Sequence, residues 1–542
     1  MPRYDIASRG EANILVRMTA RIAVARSRVA AGAQPLWLEI VVLAILAAPS
    51  VWLLTTLPPL WRDSDAYNQL MQRPGSMTIV HFPPLYCFVA RVPLYLGAIW
   101  ESWRAGGTLP GASFFRTPLL TDSGIFLLVI IQHALLLLGQ SFLLRGLRAA
   151  PAIAILLALL MAANASFYSF AHCVGSEAFS VAATLCLLAI CLRIVQRGGA
   201  TLRDWCCLGV SLVACILSRH INAVLVMLLP CVYVFIAALR VLRSRASSRR
   251  AVLHWLRAAS VAVAVGAASL LVAKGSVRLL RREFHVKTSS TLGFTFLWRL
   301  NFLAQMNAAD RAAFLVRLSN ADDPFRQLLL NTIATAAAQD GRWDPVRVHG
   351  EFHQAIVAAE PRHASVRLYA SENDLARRVV LSAPAAYRHA VQNDFVTSVR
   401  ETPPSLARAP FETTRYADER LPELPGLAAL RTFQPTAMVR LTAGRENAYF
   451  SFLRFPYWSA IAASAVLAAA SLAIGGRAAD RIVSFSAALV CVALTMMFLN
   501  CALTEFLARY TLPLWNLLFV AVLLQVAMLG DAAAPRPAGI TA

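Results

Sequence analysis

Apolar residues run through this chain in long blocks separated by short polar ones, and a block of about 20 can cross a bilayer as a helix. Such blocks occupy Leu36–Leu57, Gly124–Leu144, Pro151–Tyr168, Ala178–Leu192, Trp205–Leu217, Asn222–Leu239, Ser260–Val272, Phe455–Ile474, Ile482–Leu499 and Thr511–Leu529. They predict an all-α polytopic membrane protein with about ten transmembrane helices. His81–Trp100 is apolar too, but Pro83, Pro84, Arg91 and Pro93 interrupt it, which predicts helices lying on or dipping into the interface. Between Gly275 and Arg454 the pattern changes to an ordinary mixture of apolar and charged residues. Helical periodicity in Ala308–Leu330 and Glu372–Val391, followed by Pro403, Pro404, Pro410, Pro422 and Pro425, predicts a folded, mainly helical soluble insert with a loop-rich second half.

The expected organisation is a basic N-terminal segment (1–35), a transmembrane module (36–274) with a long first connection (58–122), the insert (275–454), C-terminal transmembrane helices (455–530) and a short Ala/Pro-rich tail (531–542). Composition agrees: 58% of residues are hydrophobic and the mean hydropathy is +0.58. The first apolar block starts well into the chain and is long, which argues against a cleaved signal peptide.

Charge then orients the spans. The chain has 51 Lys+Arg against 29 Asp+Glu. Arg3, Arg9, Arg17, Arg21, Arg26 and Arg28 precede the first block, and every second connection is basic: Arg145 and Arg148, Arg193 and Arg197, Arg240 and Arg243, Arg477 and Arg481. That is the positive-inside pattern; it puts both termini in the cytosol and accounts for the net charge of +22 without a nucleic-acid partner. The first connection, the turns His172–Glu177 and Ser218–Asn222, and the insert are then extracytoplasmic. The ten cysteines fall mostly within spans and none lies between Cys231 and Cys491, so the insert has no disulfide framework.

Polar residues at the outer ends of the spans are the candidate chemistry. Asp63 and Asp65 follow the first block in Trp61-Arg62-Asp63-Ser64-Asp65-Ala66-Tyr67, with His81 further along the same connection. At spacing i, i+2 the two acids converge only on an extended or looped backbone. There they can serve as a general base or as oxygen ligands of a divalent cation such as Mg or Mn. The plain alternative is a cap on a helix starting near Ala66. Glu177 opens one span, Arg219-His220 separates two others, and Glu505 and Arg509-Tyr510 precede the last. Arginine on this face runs against the positive-inside bias, and its planar fork suits a lipid phosphate. Snorkelling to headgroups or pairing with Glu177 or Glu505 is the alternative. No phosphate-binding Gly-rich loop, dinucleotide fingerprint or GxSxG is present.

On these residues the chain resembles the GT-C superfamily of polytopic glycosyltransferases, and is most similar to bacterial members grouped with protein O-mannosyltransferases and aminoarabinose transferases. The matching marks are Asp63-Ser64-Asp65-Ala66-Tyr67, His81-Phe82-Pro83-Pro84-Leu85-Tyr86, Ser176-Glu177-Ala178-Phe179, Leu217-Ser218-Arg219-His220 and Ala508-Arg509-Tyr510 with Pro513. The resemblance covers the membrane part, roughly 36–240 and 455–530. It implies a GT-C-like fold in a bacterial inner membrane. It also implies inverting transfer of a sugar from a polyprenyl-phosphate carrier to a lipid, glycan or protein acceptor on the extracytoplasmic face.

Asp63 would be the base and Asp65 its orienting partner or a metal ligand. Arg219, His220, Arg509 and Tyr510 would hold the donor phosphate, supported by Tyr67, His81, Glu177 and Glu505. His220 stands where relatives often carry Tyr, and the insert is longer than the family needs, which suits it to selecting the acceptor. Two rivals remain. A lipid or solute transporter or flippase would put charges at span centres and show two similar halves, and here neither is seen. An O-antigen ligase or polymerase also pairs many spans with a large insert, but generally lacks an acidic first loop.

Overall fold

The computed structural model describes residues 35–61, 70, 83–107, 120–243, 249–283, 292–319, 322–338, 343–405, 444–452, 455–504 and 511–533. The helices in chain order are α1 (Leu36–Thr56), α2 (Pro84–Arg104), α3 (Asp122–Leu147), α4 (Pro151–Ala162), α5 (Ala165–His172), α6 (Glu177–Arg197), α7 (Leu202–Ser218), α8 (Leu228–Arg243) and α9 (Arg249–Glu283). Two-residue strands β1 (Leu60–Trp61) and β2 (Cys173–Val174) follow α1 and α5. After a further set of helices the chain returns to the bundle with α18 (Tyr457–Ile474), α19 (Gly476–Leu503) and α20 (Leu512–Ala533).

Among the described residues, eight helices are long and apolar enough to cross a membrane, and the bent pair α4–α5 would make nine. The chain is an all-α polytopic membrane protein. Two of the ten expected spans look different from the expectation. Trp205–Leu217 lies in α7, whose 17 residues reach about 25 Å against a hydrocarbon core of about 30 Å. Pro151–Tyr168 is broken by 53° between α4 and α5. At that break the Asn164 side-chain oxygen accepts from the indole N–H of Trp515 on α20, 3.0 Å away. The interrupted His81–Trp100 segment is a single helix from Pro84 on, continuous through Pro93. It crosses α3 in backbone contact, because a Cβ on Gly97 would stand 2.2 Å from the Gly124 Cα; small residues permit that approach.

The bundle is built around α6. It buries 83% of its apolar window, against 22% for the peripheral α18. α3 and α7 pack on α6, α19 packs on α8 and α20, and α9 flanks α7 and α8. α6 ends on Gly198 at φ 75°, the left-handed conformation that glycine adopts without strain. α7 then starts from a capping box in which Thr201 and Asp204 satisfy each other's backbone N–H groups.

Between α9 and α18 lie α10 (Leu292–Leu297), α11 (Phe302–Gln305), α12 (Ala308–Leu318), α13 (Pro324–Ala338), α14 (Pro345–Ala359), α15 (Ala364–Ser382), α16 (Ala385–Arg400) and α17 (Arg445–Ser451). The expected helix Ala308–Leu330 is two, α12 and α13, and Glu372–Val391 is shared by α15 and α16. Pro324 and Pro384 account for both divisions, since proline favours a helix start and cannot continue one. α9 runs without a break through Gly275 to Glu283.

Beside Trp298, Arg299 has the make-up of an interfacial belt where the chain returns to the membrane, yet the structure buries it. Arg299 is 1% exposed, pairs with Asp394 of α16 and donates to the Thr504 carbonyl at the end of α19. Tyr387 of α16 donates to the Ala502 carbonyl beside it at 3.0 Å. Together these bonds dock the helices of this region on the membrane bundle.

The same region contains a buried acid. Glu372 on α15 lies 2.6 Å from His349 Nδ1 on α14, with Phe294 and Tyr369 against the imidazole. Burial raises the Glu372 carboxyl above its ordinary 4.5, and His349 offsets part of the rise. A raised folded pKa means that the associated stability is present below 4.5 and is lost as pH climbs through the folded value. Denaturation of the full chain across pH 4 to 8 is therefore expected to show Glu372→Gln losing less stability with rising pH than the wild type. Parallel curves for the two proteins would contradict it.

Candidate functional site

Among the described residues, strands pair at one point, and the candidate site begins there. β1 and β2 pair in parallel, with Leu60 opposite Cys173 and Trp61 opposite Val174. The chain leaves β1 directly into the acidic motif and leaves β2 directly into Gly175-Ser176-Glu177.

Buried side chains of α2 and α3 tie this short ladder down. Gln132 donates to the carbonyls of Ala171 at 3.0 Å and Cys173 at 2.8 Å, and its own oxygen accepts from the Tyr86 hydroxyl at 3.2 Å. His172 Nε2 is 3.0 Å from the Pro58 carbonyl. A carbonyl only accepts, so Nε2 carries the proton and His172 Nδ1 is an acceptor. His133 Nε2, 3.3 Å away, must then donate to it. That leaves His133 Nδ1 to accept from the Ser50 hydroxyl at 2.9 Å. The chain Ser50–His133–His172–Pro58 thus has one direction throughout and fixes the backbone on which β1 stands.

Glu177 heads α6 and is buried. Its Oε1 accepts from Arg219 Nη1 at 3.2 Å, with the two side chains 2% and 13% exposed. Gly175 makes room for this carboxylate, since a Cβ there would stand 2.7 Å from Glu177 Oε2. One turn further along α6, the Asn222 amide donates to the Ser180 hydroxyl at 2.8 Å and to the Cys215 carbonyl at 2.9 Å. Two polar rungs therefore join α6 to the junction between α7 and the 3-10 turn His220–Met227. His220, next to Arg219, is exposed. A guanidinium held at the N-terminus of a long helix is suited to an anion, because the helix dipole is positive at that end.

Of the expected site residues, the structure brings Glu177 and Arg219 into contact and puts His220 beside them. Asp63, Asp65, Tyr67, His81, Glu505, Arg509 and Tyr510 lie outside the described residues. The ends of the last segment are described. Thr504 is held by Arg299, and Thr511 Oγ1 is 2.5 Å from the Tyr457 hydroxyl. Among the described residues, no group of three His, Cys, Asp or Glu side chains could hold a metal ion. Asp65, the expected ligand of Mg or Mn, is not one of those residues.

Gln132, His133, Ser180 and Asn222 were not singled out from sequence. The readable signal for the first two was a Gln-His pair inside an otherwise apolar block, and polar groups in such a block need partners.

No family model and no curated protein matches the chain. Among solved structures it is similar to the archaeal oligosaccharyltransferase AglB from Archaeoglobus fulgidus in complex with an inhibitory peptide and a dolichol-phosphate, at 13% identity and TM-score 0.36, over 91% of this chain. The apo form of the Archaeoglobus fulgidus oligosaccharyltransferase aligns with the same identity and score over 90%. The chain spans about half the length of these proteins, with 50% of each covered. At so low a score the likeness defines neither fold nor chemistry.

Proposed function

We propose that this chain is a membrane glycosyltransferase that takes a sugar from a polyprenyl-phosphate carrier and transfers it, with inversion, to an acceptor on the extracytoplasmic face. The observation that carries the reading is the parallel pairing of β1 with β2 beside the buried Glu177–Arg219 pair. Asp63 is two residues beyond Trp61, a reach of at most about 7 Å, and Glu177 is three residues beyond Val174. The acid expected to take a proton and the acid that holds Arg219 therefore start from one two-strand ladder.

In this reading the Asp63 carboxylate removes the proton from the acceptor hydroxyl or amine as that atom attacks the anomeric carbon. The bond between the anomeric carbon and the phosphate oxygen breaks, and its electron pair leaves with the lipid phosphate. The phosphate gains one negative charge, which Arg219 and Arg509 offset with His220 and Tyr510 as donors. Glu177 fixes the Arg219 fork and keeps its charge compensated before substrate arrives. Asp65 orients Asp63, or holds a Mg or Mn ion if one takes part. Tyr67, His81 and Glu505 support the same face, and the 275–454 region selects the acceptor.

The test is to express Asp63→Asn and Asp65→Asn and to compare glycans on envelope lipids, polymers and proteins with the wild type. Removing a general base costs about 10²–10⁴ in rate, so the Asp63→Asn product is expected to fall below detection while Asp65→Asn keeps a residue of activity. If both variants accumulate normally and every glycan is unchanged, the reading fails.

A further inference from the structure

At the other end of the bundle lies a cavity that glycosyl transfer does not use. The 21 residues of α6 extend about 30 Å, from Glu177 at the proposed site to Gln196 and Arg197 at this end. The cavity has a volume of about 470 Å³ and is lined by Arg148, Arg481, Ile482, Leu524, Met528 and Asp531, among others. Ligand sites typically measure about 300–1,000 Å³.

Its lining has two parts. Ile482, Leu524 and Met528 make an apolar wall, and Arg148 and Arg481 bring positive charge to it. One acid, Asp531, also lines the cavity, which leaves two positive charges against one negative. Asp531 Oδ1 accepts from the Ala150 N–H at 2.8 Å, at the start of α4, and Asp480 pairs with Arg243 at 2.7 Å. Arg481 donates to the Gln196 carbonyl at 2.6 Å and lies over the Trp255 ring, which Arg240 also covers. Arg148 is exposed and ends α3 at φ 52°, a left-handed conformation usually left to Gly or Asn. Arginine is thus held, against backbone preference, at the mouth of an apolar pocket whose lining keeps a net positive charge. Positive charge there calls for an anion, and the wall calls for hydrocarbon.

We propose that this cavity binds one anionic phospholipid from the leaflet on the basic side of the bundle. Its phosphate lies between Arg148 and Arg481, and one acyl chain lies along Ile482, Leu524 and Met528. Basic pockets between transmembrane helices are known to take anionic headgroups in this way. The site is about a membrane thickness away from the proposed reaction and does not depend on it.

Native mass spectrometry of the full chain released from detergent micelles tests this, using phosphatidylglycerol, phosphatidylcholine and inorganic phosphate as probes. One phosphatidylglycerol is expected to bind at concentrations where phosphatidylcholine does not, and millimolar phosphate should not displace it. Arg148→Gln should weaken it by about fivefold, and Met528→Trp, which fills the apolar part, should abolish it. Arg203→Gln removes an exposed arginine outside the cavity and should leave binding unchanged. Equal retention of the two lipids would overturn the proposal, as would displacement by phosphate or unaltered binding in Met528→Trp. A loss in Arg203→Gln as large as in Arg148→Gln would reassign the attraction to the basic surface in general.

Discussion

Glu177→Ala is expected to cost about 3–5 kcal/mol of stability, a large share of the roughly 5–15 kcal/mol that holds a typical domain folded. The loss comes less from the missing bond than from what stays behind. Arg219 is only 13% exposed, and without the carboxylate its charge loses the acid 3.2 Å away in a poorly solvated place. Arg219→Ala should cost a similar amount for the converse reason. The double variant should recover most of the stability, since removing both charges removes the desolvation problem with them. Thermal unfolding of the four proteins in one detergent measures the coupling. Additive losses, or singles as stable as the wild type, would mean that the two side chains do not depend on each other. Activity separates the structural role from the chemical one. Under the proposed function, the double variant regains its fold but not its transfer rate, because no guanidinium is left beside Glu177's position to meet the departing phosphate.

Much of this architecture is readable from the chain because the bilayer allows few solutions. A run such as Ala178–Leu192 has to be helical to satisfy its own backbone in lipid, and the same residues lie in α6. Arg145, Arg148, Arg197 and Arg481 share the end of the bundle opposite Glu177, as the alternation of basic connections implies. What sequence does not disclose is which polar residues meet. Glu177 and Arg219 stand 42 positions apart, and their contact follows from how α6 packs on α7. The arginine's two open alternatives, an anion or an acidic partner, are not exclusive, because Glu177 holds Arg219 at the site where an anion is expected.

The insert shows the reverse weakness. Its helical content is legible from periodicity, yet the divisions at Pro324 and Pro384 and the pairing of His349 with Glu372 are not. By spacing alone His349 reads as an ordinary surface or packing residue, because the acid that holds it lies 23 positions further on. Arg299 misleads for a related reason. Next to Trp298 it has the composition of an interfacial belt, whereas tertiary packing buries it against Asp394 and the end of α19.

Asp394→Ala should therefore destabilise the junction between α16 and α19 by about 3–5 kcal/mol, although Asp394 itself is 24% exposed. The exposed partner matters because the buried one cannot do without it. Among the described residues Arg299 would keep the Thr504 carbonyl as its hydrogen-bond partner, and a carbonyl does not neutralise a guanidinium. Asp394→Asn keeps an acceptor but not the charge, so its loss should fall between Asp394→Ala and the wild type. Replacing the pair together, as Arg299→Met with Asp394→Ala, should cost far less than Asp394→Ala alone, since burying an apolar chain of similar length is close to neutral. Limited proteolysis of the four proteins, read at the α16–α19 contact, tests this ordering. If Asp394→Ala resists protease as well as the wild type, the ion pair is not what docks the insert. The same variants bear on function. Thr504 directly precedes the segment with Glu505 and Arg509, so under the proposed function a chain that loses the Arg299 anchor should lose glycosyl transfer out of proportion to its fall in stability. A double replacement that restores protease resistance but not transfer would show that Arg299 positions that segment as well as supporting the fold.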